Sequence, residues 1–251
     1  MQGPTLQDLK VNMSNRAQLV NGEWYHLILR SVGDTTIFVD EEDRYRGIFS
    51  IYEFNNSNAV NIWVRRQQRK AEKAIELLLG PTSQSLELPQ DKRDKLLEIG
   101  AFCFMPNHIH LLARQIQDNG ISRFMQKAGT GYAAYFNKKY HRKGHLFNRF
   151  KAVYIKDDIQ LKNVFVYIHA NPLSLIEPGW KENGIVNQKK AIEFLETQYR
   201  WSSFFDYLYK KNFPTVTTRD FMLEIMSGNL GCRDSVRDWI KYKNGVDFIL
   251  E

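Results

Sequence analysis

Met105-Pro106-Asn107-His108-Ile109-His110-Leu111-Leu112 is the stretch on which the reading of this chain turns. Its apolar run marks a strand. Successive side chains of a strand point to opposite faces, so His108 and His110 share one face and Ile109 takes the other. Two imidazoles side by side on a rigid strand can grip one divalent cation. They can equally be one surface histidine and one hydrogen-bonded core histidine, and a third donor is what separates the two readings.

Spacing removes several chemistries that use a histidine pair. A His-x-His-x-Asp hydrolase needs a carboxylate where Leu112 stands, and a cupin needs a glutamate where Arg114, Gln115, Ile116, Gln117 and Asp118 follow. A zinc deaminase needs His-x-Glu and Cys-x-x-Cys, and neither occurs. The chain also lacks a Gly-x-Ser-x-Gly elbow, a phosphate-binding P-loop and a dinucleotide-binding glycine fingerprint.

A chain of 251 residues, 43% hydrophobic and 25% charged, suits one good core with a small extension. With no long apolar run and no charged-then-apolar leader, neither a membrane span nor secretion is expected. Cys103 and Cys232 stand alone, which fits a reducing, cytoplasmic setting. Lys and Arg outnumber Asp and Glu by 35 to 28, a net charge of +7. The excess has a place. Arg123, Lys127, Lys138, Lys139, Arg142, Lys143, Arg149 and Lys151 alternate with Phe124, Tyr132, Tyr135, Phe136, Tyr140, His145, Phe147 and Phe150, with no acidic residue among them. Cations neutralise phosphates while flat rings stack on unpaired bases, so Arg123, Lys127, Tyr132, Lys138, Lys139, Arg142, Lys143, His145, Arg149 and Lys151 are candidates to hold single-stranded nucleic acid. A solvated basic face over an aromatic core is the plainer alternative.

The first 18 residues are polar and unpatterned, a mobile tail. Trp24 to Val32 reads as a central strand, and Thr35 to Val39 as a short extended piece. Asp40, Glu41, Glu42 and Asp43 suit a helix N-terminus, with Tyr45, Ile48, Phe49 and Tyr52 buried on the way to Phe54. Val60 to Arg65 reads as a strand, Arg65 to Leu79 as a helix and Gly80 to Gln90 as a loop. Leu96 to Phe104 leads into the histidine strand, which ends near Arg114. Asn119 or Ser122 caps a helix in which Ile121, Phe124, Met125, Ala128, Tyr132, Tyr135 and Phe136 recur at steps of three and four. Gly129 and Gly131 within it point to a kink, a close approach of DNA backbone or a packing need. After a turn at His141 to Gly144, Leu146 to Ile155 is strand or extended arm, and Asp157 and Asp158 open a helix through Ala170. Lys181 to Glu251 reads as a helical extension.

Tyr167 and Asn171 are four residues apart and share a helix face. Pro172 ends that helix near Ala170 or Asn171, because it lacks an amide hydrogen and restricts the residue before it. If this end faces the histidine strand, the Asn171 amide oxygen can complete a His-His-Asn metal site, with Tyr167 pointing at whatever the metal holds.

These motifs together resemble the single-tyrosine HUH transposases, including the REP-associated tyrosine transposases of bacterial genomes. The resemblance is carried by Trp24-Tyr25-His26, Ile37-Phe38, Asp40-Glu41-Glu42-Asp43, Met105 to Leu112, Ile121-Ser122-Arg123 and Tyr135-Phe136-Asn137. Gly144-His145-Leu146-Phe147, Arg149-Phe150-Lys151 and Tyr167-Ile168-His169-Ala170-Asn171-Pro172 follow in the same order, so that residues 20–180 are covered. Trp201-Ser202-Ser203 and Phe205-Asp206-Tyr207-Leu208 look like the tail of some relatives. Relatives often have an extra residue, usually glycine, where this chain runs Phe147-Asn148-Arg149-Phe150.

The resemblance implies an α+β, ferredoxin-like domain with a central antiparallel sheet, flanking helices and a helical C-terminal extension. Its divisions would be a tail at 1–18, a catalytic domain at 19–180 and the extension at 181–251. It implies metal-dependent cleavage and rejoining of single-stranded or hairpin DNA through a 5′-phosphotyrosine, in a bacterial or archaeal cytoplasm at the nucleoid. By position, His108, His110 and Asn171 become ligands of Mg²⁺ or Mn²⁺ and Tyr167 the nucleophile, in a monomer or homodimer. Tyr132 and Tyr135 compete for that role on spacing, and core packing or base stacking is their other reading. A non-catalytic, domesticated binder of structured single strands is the alternative function. A small-substrate metal hydrolase fares worse, since no carboxylate base accompanies the histidines.

Overall fold

The computed structural model describes residues 19–79, 91 and 93–242. The predicted tail at 1–18 and the loop at 80–90 lie outside them. Four strands, β1 (Trp24–Arg30), β2 (Leu97–Met105), β3 (His108–Gln115) and β4 (Lys151–Tyr154), form one sheet in the order β2-β3-β1-β4. Every neighbouring pair is antiparallel. Helix α1 (Glu41–Glu53), followed by α2 (Ile62–Leu79), joins β1 to β2, and α3 (Gly120–Lys139) joins β3 to β4. Strand order and connections are those of the ferredoxin-like α+β arrangement.

The two faces of the sheet bury different chemistry. On one, Leu29, Ile109 and Leu111 meet Gly47 and Ile51 of α1 and Phe124, Met125, Ala128 and Tyr132 of α3. A Cβ on Gly47 would come within 2.3 Å of the Phe104 ring, so glycine is what lets α1 sit this close to β2. Asp43 ties the two helices together: buried at the start of α1, it accepts from Tyr135 Oη at 2.9 Å, Tyr140 Oη at 2.7 Å and Lys139 Nζ at 2.9 Å. The other face carries His26 and Ile28 of β1 with His110 and Leu112 of β3, under α4 (Asp158–Ala170). Asp157 caps α4 by accepting from the Gln160 amide at 2.7 Å.

Beyond a 3₁₀ turn at Asn171–Leu175 come α5 (Trp180–Asn183), α6 (Gln188–Glu193), α7 (Phe204–Tyr207), α8 (Asp220–Ile225) and α9 (Gly228–Tyr242). This region covers the open edge of β2. The Phe104 amide donates to Trp201 O at 2.9 Å, Ser203 N to Phe102 O at 3.0 Å and Thr218 N to Ile99 O at 2.9 Å. Edge strands invite pairing with foreign chains, and here the chain's own backbone takes that place. One continuous core runs from Trp24 to Ile240. No described helix is long and apolar enough to cross a membrane.

Local expectations fail in four places. Val60 to Arg65 is no strand: Asn61 Oδ1 accepts from Trp63 N at 3.1 Å and Val64 N at 3.2 Å and starts α2 there. Tyr45 is exposed, because α1 buries Gly47, Ile48 and Ile51 instead. Pro106 and Asn107 form a turn between β2 and β3 rather than part of one strand, and Pro106 O accepts from Ile37 N at 2.8 Å. Neither Asn119 nor Ser122 caps α3 through its side chain; the Gln115 Oε1 atom takes the Ile121 amide at 3.1 Å. Leu146 to Ile155, read as strand or extended arm, contributes the strand Lys151–Tyr154.

Candidate active site

The tight turn at Pro106–Asn107 starts β3 at His108, and the pleat then puts His108 and His110 on the α4 face. Their Nε2 atoms lie 3.0 Å apart. Nitrogens at that separation suit adjacent positions around one cation, whose bonds to imidazole run about 2.1 Å. The remaining ring nitrogens are held from outside. His108 Nδ1 contacts Asn107 Oδ1 at 2.6 Å, and His110 Nδ1 contacts His26 Nε2 at 2.9 Å. An Nδ1–H donated outward leaves each Nε2 with its lone pair inward, which is the tautomer a cation needs. His110 is wholly buried. Burial first, then the charges of His26, His108, Lys181 and Arg30, hold its pKa well below the ordinary 6.5, so the ring is neutral.

Helix α4 brings the remaining chemistry. The Tyr167 ring stands edge-on to His26 and to His110, its centroid 5.8 Å from each. Its hydroxyl accepts from Lys181 Nζ at 3.0 Å. Asn171, one turn on, keeps helical angles despite Pro172 and continues into the 3₁₀ turn. Its Nδ2 reaches the Tyr167 carbonyl oxygen at 3.5 Å, so the amide oxygen is the atom left for a cation. Asn171 and His108 line one cleft of about 460 Å³ together with Arg30, Ser174, Trp180 and Lys181. Neither His110 nor Tyr167 lines it. Among the described residues no three His, Cys, Asp or Glu side chains are placed to share a cation.

The basic segment divides. Arg123 donates to Ser57 O at 3.1 Å, Lys127 to Asn58 O at 2.6 Å, Arg142 to Asn137 Oδ1 at 3.3 Å, and Lys139 pairs with Asp40 at 2.7 Å. Tyr132 is buried with its hydroxyl on Ile37 O at 2.6 Å, so its ring is a core ring and not a stacking platform. Lys138, Lys143, His145, Arg149 and Lys151 are exposed. His145 and Arg149 line a second cleft, of about 600 Å³, beside Leu29 and Gly129 on the α3 side of the sheet. Lys151 differs: it pairs with Ile28, which pairs with His110, so all three share the histidine face.

Sequence reasoning missed His26, Asn107, Arg30 and Lys181 as parts of the site. Position parity on β1 puts His26 and Arg30 on one face, but their place beside the histidines needs the β1–β3 register, in which Arg30 lies opposite His108. Nothing local to Lys181 signals a contact fourteen residues back.

The fold is similar to that of a REP-associated tyrosine transposase solved bound to a REP hairpin, at 13% identity and a TM-score of 0.43, covering 82% of this chain and 90% of that one. A bacterial tRNA(His) guanylyltransferase-like protein in complex with GTP gives 11% identity and a TM-score of 0.36, covering 67% and 74%. No curated protein sequence matches the chain. Residues 86–171, which hold both strand histidines, Tyr167 and Asn171, match the model of the IS200-like transposases.

Proposed function

We propose that this chain cleaves and rejoins single-stranded, hairpin-forming DNA through a 5′-phosphotyrosine, as in DNA transposition, with Tyr167 as the nucleophile. The observation that carries the reading is the packing of the Tyr167 ring against His110, with Asn171 and His108 on one cleft wall. His108, His110 and Asn171 would hold Mg²⁺ or Mn²⁺; neutral imidazoles with one amide oxygen suit an exchangeable cation better than a closed zinc site. The chemistry such an ion would supply is polarisation of the scissile phosphate and an offset to its charge. The chain's own groups do the rest. Asn107 and His26 fix the two ring orientations, and Lys181 brings an ammonium to a cleft where Arg30 is paired with Asp34 at 3.2 Å and Glu182 stands alongside. A phenol titrates near about 10 and needs such an environment to attack. Covalent capture keeps the phosphodiester energy for rejoining, which hydrolysis by water forfeits.

Among the exposed basic candidates, Lys151 on the histidine face and His145 and Arg149 in the α3 cleft are the ones placed at the histidine face or in a cleft, where DNA phosphates would meet them. Residues 19–180 act as the catalytic domain and 181–251 as the added region, whose Trp180–Lys181 junction walls the site. A monomer or homodimer, working on DNA in the cytoplasm, fits this reading.

The test is a denaturing gel of end-labelled hairpin oligonucleotides with Mn²⁺. A protein–DNA band lost in Tyr167→Phe is expected. A band that persists in Tyr167→Phe would remove Tyr167 as nucleophile. No band across a panel of hairpins, with binding intact and indifferent to His108→Ala and to chelator, would favour the non-catalytic binder.

A further inference from the structure

Lys181 belongs to none of the motifs, yet its ammonium lies within hydrogen-bond distance of the hydroxyl on which the proposed chemistry turns. Lys181 Nζ lies 3.0 Å from Tyr167 Oη and 5.2 Å from the centre of the same ring. The short α5 holds it there. Trp180, the preceding residue, is almost wholly buried, its ring 5.0 Å from that of Trp239 in α9. Gly179 enters α5 at φ 87°, a left-handed angle that costs glycine little, and its carbonyl accepts from Asn183 N at 2.9 Å. Lys181 is therefore carried by a fixed backbone, and the same side chain lines the cleft with His108, Asn171 and Arg30.

An ammonium has donors only, so Oη is the acceptor of this bond and the phenolic hydrogen is directed elsewhere. We propose that Lys181 is a further catalytic group of this site: it holds the Tyr167 oxygen toward the cleft and then binds a non-bridging oxygen of the phosphate that Tyr167 attacks. In that step the Oη–P bond forms and the P–O3′ bond breaks. The phenolic proton ends on the departing 3′-oxygen, and Lys181 keeps all its protons, supplying charge and direction alone. The assignment rests on the reading of Tyr167 as nucleophile.

Lys181→Met keeps the apolar stem and removes the charge; Lys181→Arg keeps the charge. With end-labelled hairpin oligonucleotides and Mn²⁺, Lys181→Met is expected to slow covalent-adduct formation by about 100-fold, the usual effect of removing one group that meets transition-state charge. Its equilibrium Kd for the same oligonucleotides should move by at most about fivefold, the loss of a single phosphate contact. Lys181→Arg should recover a good part of the rate. An unchanged rate in Lys181→Met, beside a wild-type band that Tyr167→Phe abolishes, overturns the role of Lys181 and leaves that of Tyr167 standing. Equal loss in the Met and Arg variants overturns it too, because packing and not charge would then be at stake. No wild-type band overturns the nucleophile reading and this assignment with it.

Discussion

Tyr132 and Tyr167 sit on opposite sides of the sheet, each on a helix, each almost fully buried against the strands. Burial therefore does not distinguish them. What each hydroxyl meets does. Tyr132 donates to the Ile37 carbonyl oxygen, and burial, with Asp43 nearby, pushes its pKa far up, so its proton is spent on holding the 35–39 segment to α3. Tyr167 meets at its oxygen a cation that lines a cleft, and two imidazoles at its ring. A buried hydroxyl satisfied by a carbonyl is structure; one that accepts from a cation lining a cleft is available for chemistry.

The largest expected effect tests that contrast directly. Tyr167→Phe should abolish covalent capture of DNA while leaving the melting temperature within a few degrees. Tyr132→Phe should leave capture within about threefold per folded molecule and cost about 1–2 kcal/mol of stability, the penalty of a buried carbonyl left without its donor. Adduct assays and thermal melts on the two variants read both. A Tyr132→Phe protein that folds and captures nothing would reverse the comparison.

Histidines extend it. His110 and His169 are both wholly buried, and burial depresses both. His110, however, converges on another imidazole nitrogen, whereas His169 contacts the Ser203 hydroxyl at 2.8 Å among Phe165, Phe204 and Tyr207. Depressed pKa alone does not mark a ligand; convergence of lone pairs does. His110→Ala, and EDTA added to the wild type, should each lower adduct formation by about 100-fold or more, as loss of a metal's contribution to phosphate charge would. His169→Gln, normalised to folded protein, should stay within about threefold.

The same two rings set a pH dependence. Burial lowers the His169 pKa to about 3 from 6.5, and that of His110 falls in the same direction. Below pH 6.5 the unfolded chain binds protons that these folded rings refuse. Their neutral burial therefore adds nothing unfavourable above pH 6.5, and stability falls as the pH drops from 6.5 toward the folded values. The slope is at most about 1.4 kcal/mol per pH unit for each ring. Melting temperatures between pH 7 and pH 5 should decline, and more gently in His169→Gln. A flat profile in the wild type would mean that these rings are protonated in the fold.

Residue pattern was enough for what repeats along an element. Strict alternation in β3 placed the histidines, and steps of three and four placed the buried face of α3. The cap at Asp157 and the stop near Pro172 framed α4 correctly. What depends on register between distant segments was not legible: His26 beside His110 across β1 and β3, or Lys181 against Tyr167. Composition also misled where charge was already spent at home. Lys139 counts as basic in any tally, yet it is tied to Asp40 and Asp43 from a helix nearly a hundred residues earlier. Asn61 moved the start of α2 into what apolar content alone had read as a strand.

The smallest effect refines the α3 side. Helix α3 runs unbroken from Gly120 to Lys139, so Gly129 and Gly131 serve no break in it. A Cβ at Gly131 would come within 2.3 Å of the Phe54 ring, whereas at Gly129 the nearest atoms, on Leu29 and Phe147, lie at ordinary contact, 3.7 and 3.9 Å. Gly131→Ala should thus cost about 1–3 kcal/mol through overpacking. Gly129→Ala should gain about 0.5–1 kcal/mol from helix propensity. Gly129 also lines the cleft with His145 and Arg149. If DNA backbone passes there, a methyl group at 129 would weaken hairpin binding even as it raises the melting temperature, and Gly129 would be a contact position. Unchanged binding would confine the DNA path to the histidine face and to Lys151.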